Sequence, residues 1–325
     1  MSISTNQADC FLLIILTSNS RYLLLLCEFR LQMNISVIIL SWNSECYLDK
    51  CLSSVIKGLR NYYSRYEIFI VDNGSRDGSV DIIEYFRNTH PDHVKSILLN
   101  SNKGTTYSRN LALKQAKGKF IVVMDSDTEI IEDVIPKLTH ILKYGNNVGL
   151  VAPRLMYKNG QLQKSVDNYP TVFTKLHRYF FLKKSEKKDA DNTNYTIREV
   201  DYAISAMWVF KKELLDSVGL LDENIFYAPE DVDYCLRIWK GGYKILYVPE
   251  VYAIHYGQEI SRGFKINRST IEHIRGLYYF YCKHKYWFKK PEFRQNLIDG
   301  TNVSQIGRRS DTSLKDSDNA ILRRN

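Results

Sequence analysis

Asp125 and Asp127 stand two residues apart, directly after the apolar run Phe120–Met124. Released at the end of a buried strand, two such carboxylates can turn toward one point. A hard divalent cation and the phosphates it carries take oxygen ligands of this kind. The same pair would also serve simply to end a strand and cap the next helix. Three further groups share this character. Asp72 heads the loop Asn73-Gly74-Ser75-Arg76-Asp77-Gly78-Ser79, and Glu230-Asp231-Val232-Asp233 follows Pro229. His255 closes the apolar stretch Val251–Ile254. A carboxylate at a strand end followed by glycine leaves room for a flat or sugar-like ligand near the backbone. An acid facing a hydroxyl can act as a general base, and the helix dipole alone would also favour acids in that first turn. Neutral imidazole is a common metal ligand and would complete a site with Asp127, although a histidine ending a strand can be purely structural. Arg109, in Asn102-Lys103-Gly104 to Arg109-Asn110, could hold a diphosphate through paired N–H donors or stand solvated on its helix.

The elements that must position these residues follow from periodicity. Ile35–Ser41 and Glu67–Val71 are continuous apolar runs of the kind buried on both faces of a parallel sheet, and Phe120–Met124 is a third. Ser96–Leu99 is a shorter one. Leu48, Cys51, Leu52, Val55, Ile56 and Leu59 fall at helical spacing, and Val80, Ile83 and Phe86 share a helical face. Helices are also expected over Thr105–Ala116, Glu132–Lys143, Lys211–Val218 and Asp231–Lys240, with strands at Tyr202–Phe210 and Lys244–Val248. Strand–helix alternation repeated four times predicts a parallel, doubly wound sheet, whose ligands sit beyond the carboxyl ends of the strands. We expect one domain over residues 33–291, with a nucleotide-binding half at 33–151 and an acceptor-binding half at 152–291. The polar tail at 292–325 is expected to be disordered. Residues 1–32 lack a basic amino-terminal region and hold no apolar run long enough to span a membrane. Met33 lies directly before the first strand and is expected to be the true start, with 1–32 an upstream artefact or disordered extension.

An apolar content of 44% and a charged content of 25% are those of a globular protein with a substantial core. The six cysteines form no CxxC pair, so we expect free thiols of a reducing, cytoplasmic compartment. The formal charge of +9 calls for an anionic partner. Lys175–Lys188 and Tyr278–Lys290 interleave lysines with aromatic residues, a pattern suited to peripheral attachment at an anionic membrane surface. The alternative is that these aromatics belong to the core.

The order and wording of the motifs resemble glycosyltransferase family 2 with the GT-A fold, close to its rhamnosyltransferase-like branch. The residues that carry the resemblance are SVIILSWNSECYLDKCLSS, IFIVDNGSRDGS, NKGTTYSRNLAL, FIVVMDSDTEI, VGLLDENIFYAPEDVDYCLRIWKGGYKILYVPE and IHYGQEIS. The resemblance implies an α/β, Rossmann-like GT-A fold with a mixed, mainly parallel sheet flanked by helices. By the same resemblance Asp72 would hold the nucleobase, with Asn43 and the backbone at Ser41 lining that pocket. Gly104 would belong to the nucleotide-sugar site, and Arg109 would approach the phosphates. Asp125 would meet the ribose or a metal-bound water, Asp127 would bind Mg²⁺ or Mn²⁺, and His255 would be the further metal ligand. Asp231 would be the catalytic base, with Glu230 orienting the acceptor. Ser205-Ala206-Met207 departs from the more glycine-rich stretch common there, and the Gln-x-x-Arg-Trp element of processive synthases is absent.

The implied activity is an inverting, metal-dependent transfer of one sugar per encounter. The donor would be dTDP-rhamnose or a UDP-sugar, and the acceptor a hydroxyl of a polysaccharide or lipid-linked oligosaccharide. Two enzyme-like alternatives are a sugar-phosphate nucleotidyltransferase and a catalytically inactive nucleotide-sugar-binding domain. The first would want a glycine-rich, basic phosphate loop after the first strand, where Ser41-Trp42-Asn43-Ser44-Glu45 stands instead. A nucleic-acid-binding protein would account for the charge but leave four acidic motifs at crevice positions without a role, so no nucleic-acid partner is expected.

Overall fold

The computed structural model describes residues 34–131, 133–174, 196–257 and 268–291. The expectations for 1–32, for the basic-aromatic stretch at 175–188 and for the tail at 292–325 lie outside the described residues.

Strands β1 (Ile35–Ser41), β2 (Tyr66–Asp72), β3 (Val94–Leu98) and β4 (Phe120–Asp125) are the apolar runs read from the sequence. They pair in parallel in the order β3-β2-β1-β4. Because side chains alternate across a strand, each run feeds two cores. Val37, Ile39, Val122 and Met124 enter one layer, while Ile38, Ile121 and Val123 enter the other. Helices α1 (Glu45–Arg60) and α2 (Ser79–Thr89) cover the first layer, and α3 (Thr105–Leu113) covers the second.

The chain continues through β5 (Thr128–Ile130), α4 (Val134–Tyr144) and β6 (Val148–Met156), then four two-residue strands. These are β7 (Leu162–Gln163), β8 (Val166–Asp167), β9 (Arg198–Glu199) and β10 (Tyr202–Ala203). It ends in β11 (Met207–Lys211), α5 (Glu213–Val218), α6 (Glu230–Lys240), β12 (Lys244–His255) and α7 (Arg268–His284). The main sheet runs β3-β2-β1-β4-β11-β6-β12-β5, with β7 on β6 and β9 on β12.

The sheet is mixed and mainly parallel, as the family resemblance implies, with β11 antiparallel to both β4 and β6; strand–helix alternation alone points to a uniformly parallel one. Apolar periodicity reports burial, not strand direction. Residue 151 lies inside β6, which pairs with β11 and β12, so the two halves of the one expected domain share a sheet. Two expectations change. The single strand expected over Tyr202–Phe210 is broken at 204–206. Its first part, β10, pairs with β8 in a separate ribbon, and only β11 enters the main sheet. The last strand runs on through Pro249 to His255. Between Val248 and Tyr252 it takes four steps against one on β6, from Pro153 to Arg154. Proline lacks a ladder donor and is tolerated at such a bulge. The bulge carries the strand past the proline and delivers His255 to the crevice.

The aromatics of 278–290 divide. Phe280 and Tyr281 are core residues of α7, whereas Tyr278 and Phe288 are exposed. Helix α7 is fixed at several points. A Cβ at Gly276 would stand 2.4 Å from the carbonyl oxygen of Ala228, so the helix backbone lies directly on the segment that opens α6. Lys283 Nζ reaches Asp222 and Asp233, each at 2.6 Å, and His284 Nε2 lies 2.8 Å from Asp233 Oδ1. The Asp233 carboxyl, pushed up by burial, is pulled below its usual range more strongly by His284, Arg237 and Lys283.

Candidate active site

Strand β4 ends where the sheet changes direction, with parallel β1 on one side and antiparallel β11 on the other. The end of β4 is held on both sides, since Asp125 N donates to Ala206 O just before β11 and Ser126 N donates to Leu40 O. A crevice at such a switch point is where open α/β sheets bind ligands. A cleft of about 550 Å³ opens over it. The cleft is lined by Asp125, Ser126, Asp127 and His255, by Trp42, Ser44, Asn73 and Asn102, and by Phe226, Tyr227, Glu230, Asp231, Glu272 and His273.

Ser126 turns away from the two acids, its Oγ 2.6 Å from Ser44 Oγ. Asp125, Asp127 and His255 each offer a ligand atom, and these atoms all lie within 4.8 Å of one another. Register explains how a residue 128 positions after Asp127 comes to lie beside it: His255 of β12 pairs with Thr128 of β5, and Tyr256 N donates to Asp127 O at 2.9 Å. His255 Nε2 stands 3.3 Å from Asp127 Oδ1, and Nδ1 stands 2.8 Å from Gln163 Oε1. With Nδ1–H donating to that carbonyl oxygen, Nε2 is the nitrogen presented to the acids, the second-sphere arrangement that orients metal-binding histidines. Burial lowers the His255 pKa, but the hydrogen bond and charge of Asp127, with the charge of Asp125, outweigh it and leave the pKa raised. Burial also pushes the Asp125 carboxyl up, against the pull of Arg109 and with the push of Asp127. The charges of Asp127 and Asp125 that raise the His255 pKa would also attract a divalent cation. Two carboxylates and an imidazole are the hard, mostly oxygen donor set suited to Mg²⁺ or Mn²⁺.

Arg109 lines the cleft, and with its side chain 1% exposed it is not solvated on its helix. Nη2 pairs with Asp125 Oδ1, Nη1 donates to Ser205 Oγ at 2.8 Å, and Nη1 lies 3.6 Å from Glu230 Oε1. Ser205 Oγ in turn donates to Glu230 Oε1 at 3.3 Å. One buried guanidinium thus ties the acid ending β4 to the acid opening α6. Glu230 is correspondingly turned inward, while its neighbour Asp231 is half-buried at the cleft wall. Arg109→Ala would leave Asp125 and Glu230 facing each other without a counter-charge. Breaking a buried pair costs about 3–5 kcal/mol, and we expect about 3 because the Asp125 side opens into the cleft. Thermal unfolding of the variant would show this as a clear fall in Tm.

Ser41, Asn43 and Asp72 are not among the residues lining the cleft; they fasten the loops beside it. Ser41 is fully buried and its carbonyl accepts from Asn73 N at 2.8 Å. Asp72 Oδ2 accepts from Gly74 N and Ser75 N, and Oδ1 accepts from Ser75 Oγ. Asn43 N donates to Ser75 Oγ, and Asn43 Oδ1 accepts from Arg76 N. The residues lining the cleft from these loops are Trp42, Ser44 and Asn73. Gly104 does line the cleft, and with φ of +90° it occupies a conformation that favours glycine. A Cβ there would meet Phe226 O at 2.5 Å, and Thr105 N donates to the same oxygen at 2.7 Å. Gly104 therefore docks the 225–227 segment that leads into Glu230.

The sequence did not single out Gln163, Trp42, Glu272 or His273 as site residues. Gln163 sits on a two-residue strand with no periodic signal, and Glu272 and His273 lie on a helix whose approach to the cleft depends on the Gly276 contact. Ser205 was noted only as part of a departure from the resembled family.

A family model for glycosyl transferase family 2 matches residues 36–219 of the chain. The chain belongs to that family. It is 22% identical over 243 residues to the glycosyltransferase AglE of Haloferax volcanii, covering 73% of each chain. Over 114 residues it is 32% identical to the undecaprenyl-phosphate 4-deoxy-4-formamido-L-arabinose transferase of Proteus mirabilis, a match covering 35% of each. Among solved structures, GalNAc-T7 with UDP, GalNAc and Mn²⁺ superposes with a TM-score of 0.57 at 16% identity, over 86% of this chain and 54% of that one. The shared architecture is the GT-A-like one, an α/β mixed sheet flanked by helices.

Proposed function

We propose that the chain transfers a single sugar, with inversion, from a nucleoside diphosphate donor to a hydroxyl of a polysaccharide or lipid-linked oligosaccharide. The observation that carries this is the cluster of Asp125, Asp127 and His255 at the sheet's switch point, with Asp231 at the wall of the same cleft. Membership of family 2 supports the transfer, and the nucleoside diphosphate and Mn²⁺ bound by the similar GalNAc-T7 structure support the donor class and the cation.

In this reading Asp127 and His255 hold Mg²⁺ or Mn²⁺, with Asp125 beside them. Gln163 keeps His255 in the ligating tautomer. The ion, when bound, supplies a Lewis acid for the charge that builds on the leaving diphosphate. The nucleoside lies toward Trp42, Asn73 and Asn102, where the loop set by Asp72, Asn43 and Ser41 shapes the pocket. Arg109 acts by holding Asp125 and Glu230 in register rather than by gripping phosphate. The acceptor hydroxyl enters from the Tyr227–Asp231 side. There Asp231 takes its proton as the oxygen attacks the anomeric carbon from the face opposite the diphosphate, which gives inversion. Glu230, buttressed by Arg109 and Ser205, fixes the turn that aims Asp231. The rhamnosyltransferase-like motifs favour dTDP-rhamnose as donor, with UDP-sugars the other candidates, and the undecaprenyl-phosphate transferase among the relatives favours a lipid-linked acceptor.

Purified protein incubated with a panel of dTDP- and UDP-sugars, with and without Mn²⁺, is expected to release nucleoside diphosphate from one donor class and only with the metal. Equal release without metal after exhaustive chelation, or no release and no binding of any donor, would contradict the proposal.

A further inference from the structure

We infer that the outward face of α7 is a docking surface for an anionic lipid bilayer, placed so that the cleft opens beside the membrane plane. The inward face of this helix is fully employed, with Gly276 against Ala228, Phe280 in the core and His284 on Asp233. The opposite face carries Ile271, Ile274, Arg275, Tyr278 and Cys282, at i, i+3, i+4, i+7 and i+11, and all five are exposed. This spacing makes one stripe along the helix. A stripe turned to water is ordinarily polar. Here Ile271, Ile274 and Tyr278 are 56%, 64% and 65% exposed. Scattered apolar residues on a surface need no explanation, but a run of them on one helical face marks an interaction site. Past the helix end the pattern continues in Phe288, whose ring lies 5.2 Å from that of Phe173, both exposed.

The exposed charges that accompany these residues are basic: Arg275 on the stripe, with Lys285 and Lys289 near Phe288. Aliphatic and aromatic side chains interleaved with cations are the composition of interfacial helices that lie on anionic membranes. A second copy of the chain is a poorer occupant. A two-fold contact through this stripe would bring like charges together in a desolvated interface. No helix among the described residues is long and apolar enough to cross a membrane.

The same helix contributes Glu272 and His273 to the cleft lining. Seating its outer face on a bilayer would therefore bring the cleft near the headgroups, where a lipid-linked acceptor presents its hydroxyl. That last step rests on the proposed transfer reaction; the docking itself does not.

The test is flotation of the full chain with vesicles of phosphatidylcholine alone and of phosphatidylcholine mixed with phosphatidylglycerol, at low and high salt. Wild-type protein is expected to float with the anionic vesicles at low salt. The I271S/I274S/Y278S variant is expected to lose about tenfold or more of its partitioning, since each side chain would otherwise bury apolar surface. An R275E/K285E/K289E variant, altered only at exposed positions, is expected to lose binding to anionic vesicles as well. Wild-type protein that stays at the bottom of the gradient would overturn the inference. So would both variants floating like wild type, or light scattering that shows a dimer dissolved by the serine substitutions with vesicle binding unchanged. Flotation needs neither donor nor metal, so its outcome is independent of whether the transfer proposal holds.

Discussion

Asp231→Asn is expected to lower turnover by about 10²–10⁴-fold, the contribution of a positioned general base. Metal-dependent donor binding should stay near the wild-type level. The substitution keeps the size and hydrogen-bonding shape of the side chain and removes only its ability to accept a proton. Asp231 Oδ1 accepts from Val232 N at 2.7 Å, a bond the amide oxygen of asparagine can also make, so the helix start should survive. The signature to look for is therefore a fall in kcat with the donor KM and Tm unchanged. Steady-state release of nucleoside diphosphate, beside a thermal melt, reads all three. A variant with near-normal kcat would move the base elsewhere. Glu230 is a poor substitute, since Ser205 and Arg109 already engage its Oε1.

Asp127→Ala is expected to abolish both transfer and metal-dependent donor binding. Asp127 is the most enclosed member of the cluster, and its neighbour His255 is oriented from behind by Gln163. A divalent ion acting as Lewis acid contributes several kcal/mol to the transition state, so its loss corresponds to about 10³-fold or more in rate. Unlike Asp231→Asn, this change should also weaken donor affinity, because the ion would bridge protein and diphosphate. The contrast between the two variants separates a failure of binding from a failure of proton transfer. Asp125→Ala is a less direct probe, as it would also strand the buried Arg109.

Much of this arrangement was legible in the sequence, for a physical reason. Buried parallel strands are written as unbroken apolar runs, so β1, β2 and β4 stand out, and an acid directly after such a run must emerge at the crevice. Asp125 and Asp127 were picked out this way, and the Glu230–Asp231 pair by the acids that follow Pro229 at a helix start. What the sequence could not supply was pairing direction and side-chain partnership. Nothing in Met207–Lys211 states that this strand runs antiparallel beside β4, although that pairing closes one wall of the site. Pro249 reads as the end of a strand, and only the bulge on β6 shows how the chain continues to His255. Arg109 is the sharpest case. An arginine on a polar helix start looks available for phosphate, and its enclosure by Asp125, Ser205 and Glu230 depends on three segments that the sequence keeps far apart. Asp72, Asn43 and Ser41 likewise belong to one small network of loop bonds, visible only when the two loops lie side by side.

In the proposed reaction Asp125, Asp127 and His255 form a divalent-cation centre for a nucleoside diphosphate. Electron paramagnetic resonance of Mn²⁺ titrated into the protein, with and without UDP or dTDP, tests it directly. Wild-type protein is expected to show one nucleotide-strengthened Mn²⁺ site per chain, lost in Asp127→Ala and weakened in His255→Ala. A wild-type chain with no such site, or a site untouched by Asp127→Ala, would contradict the account.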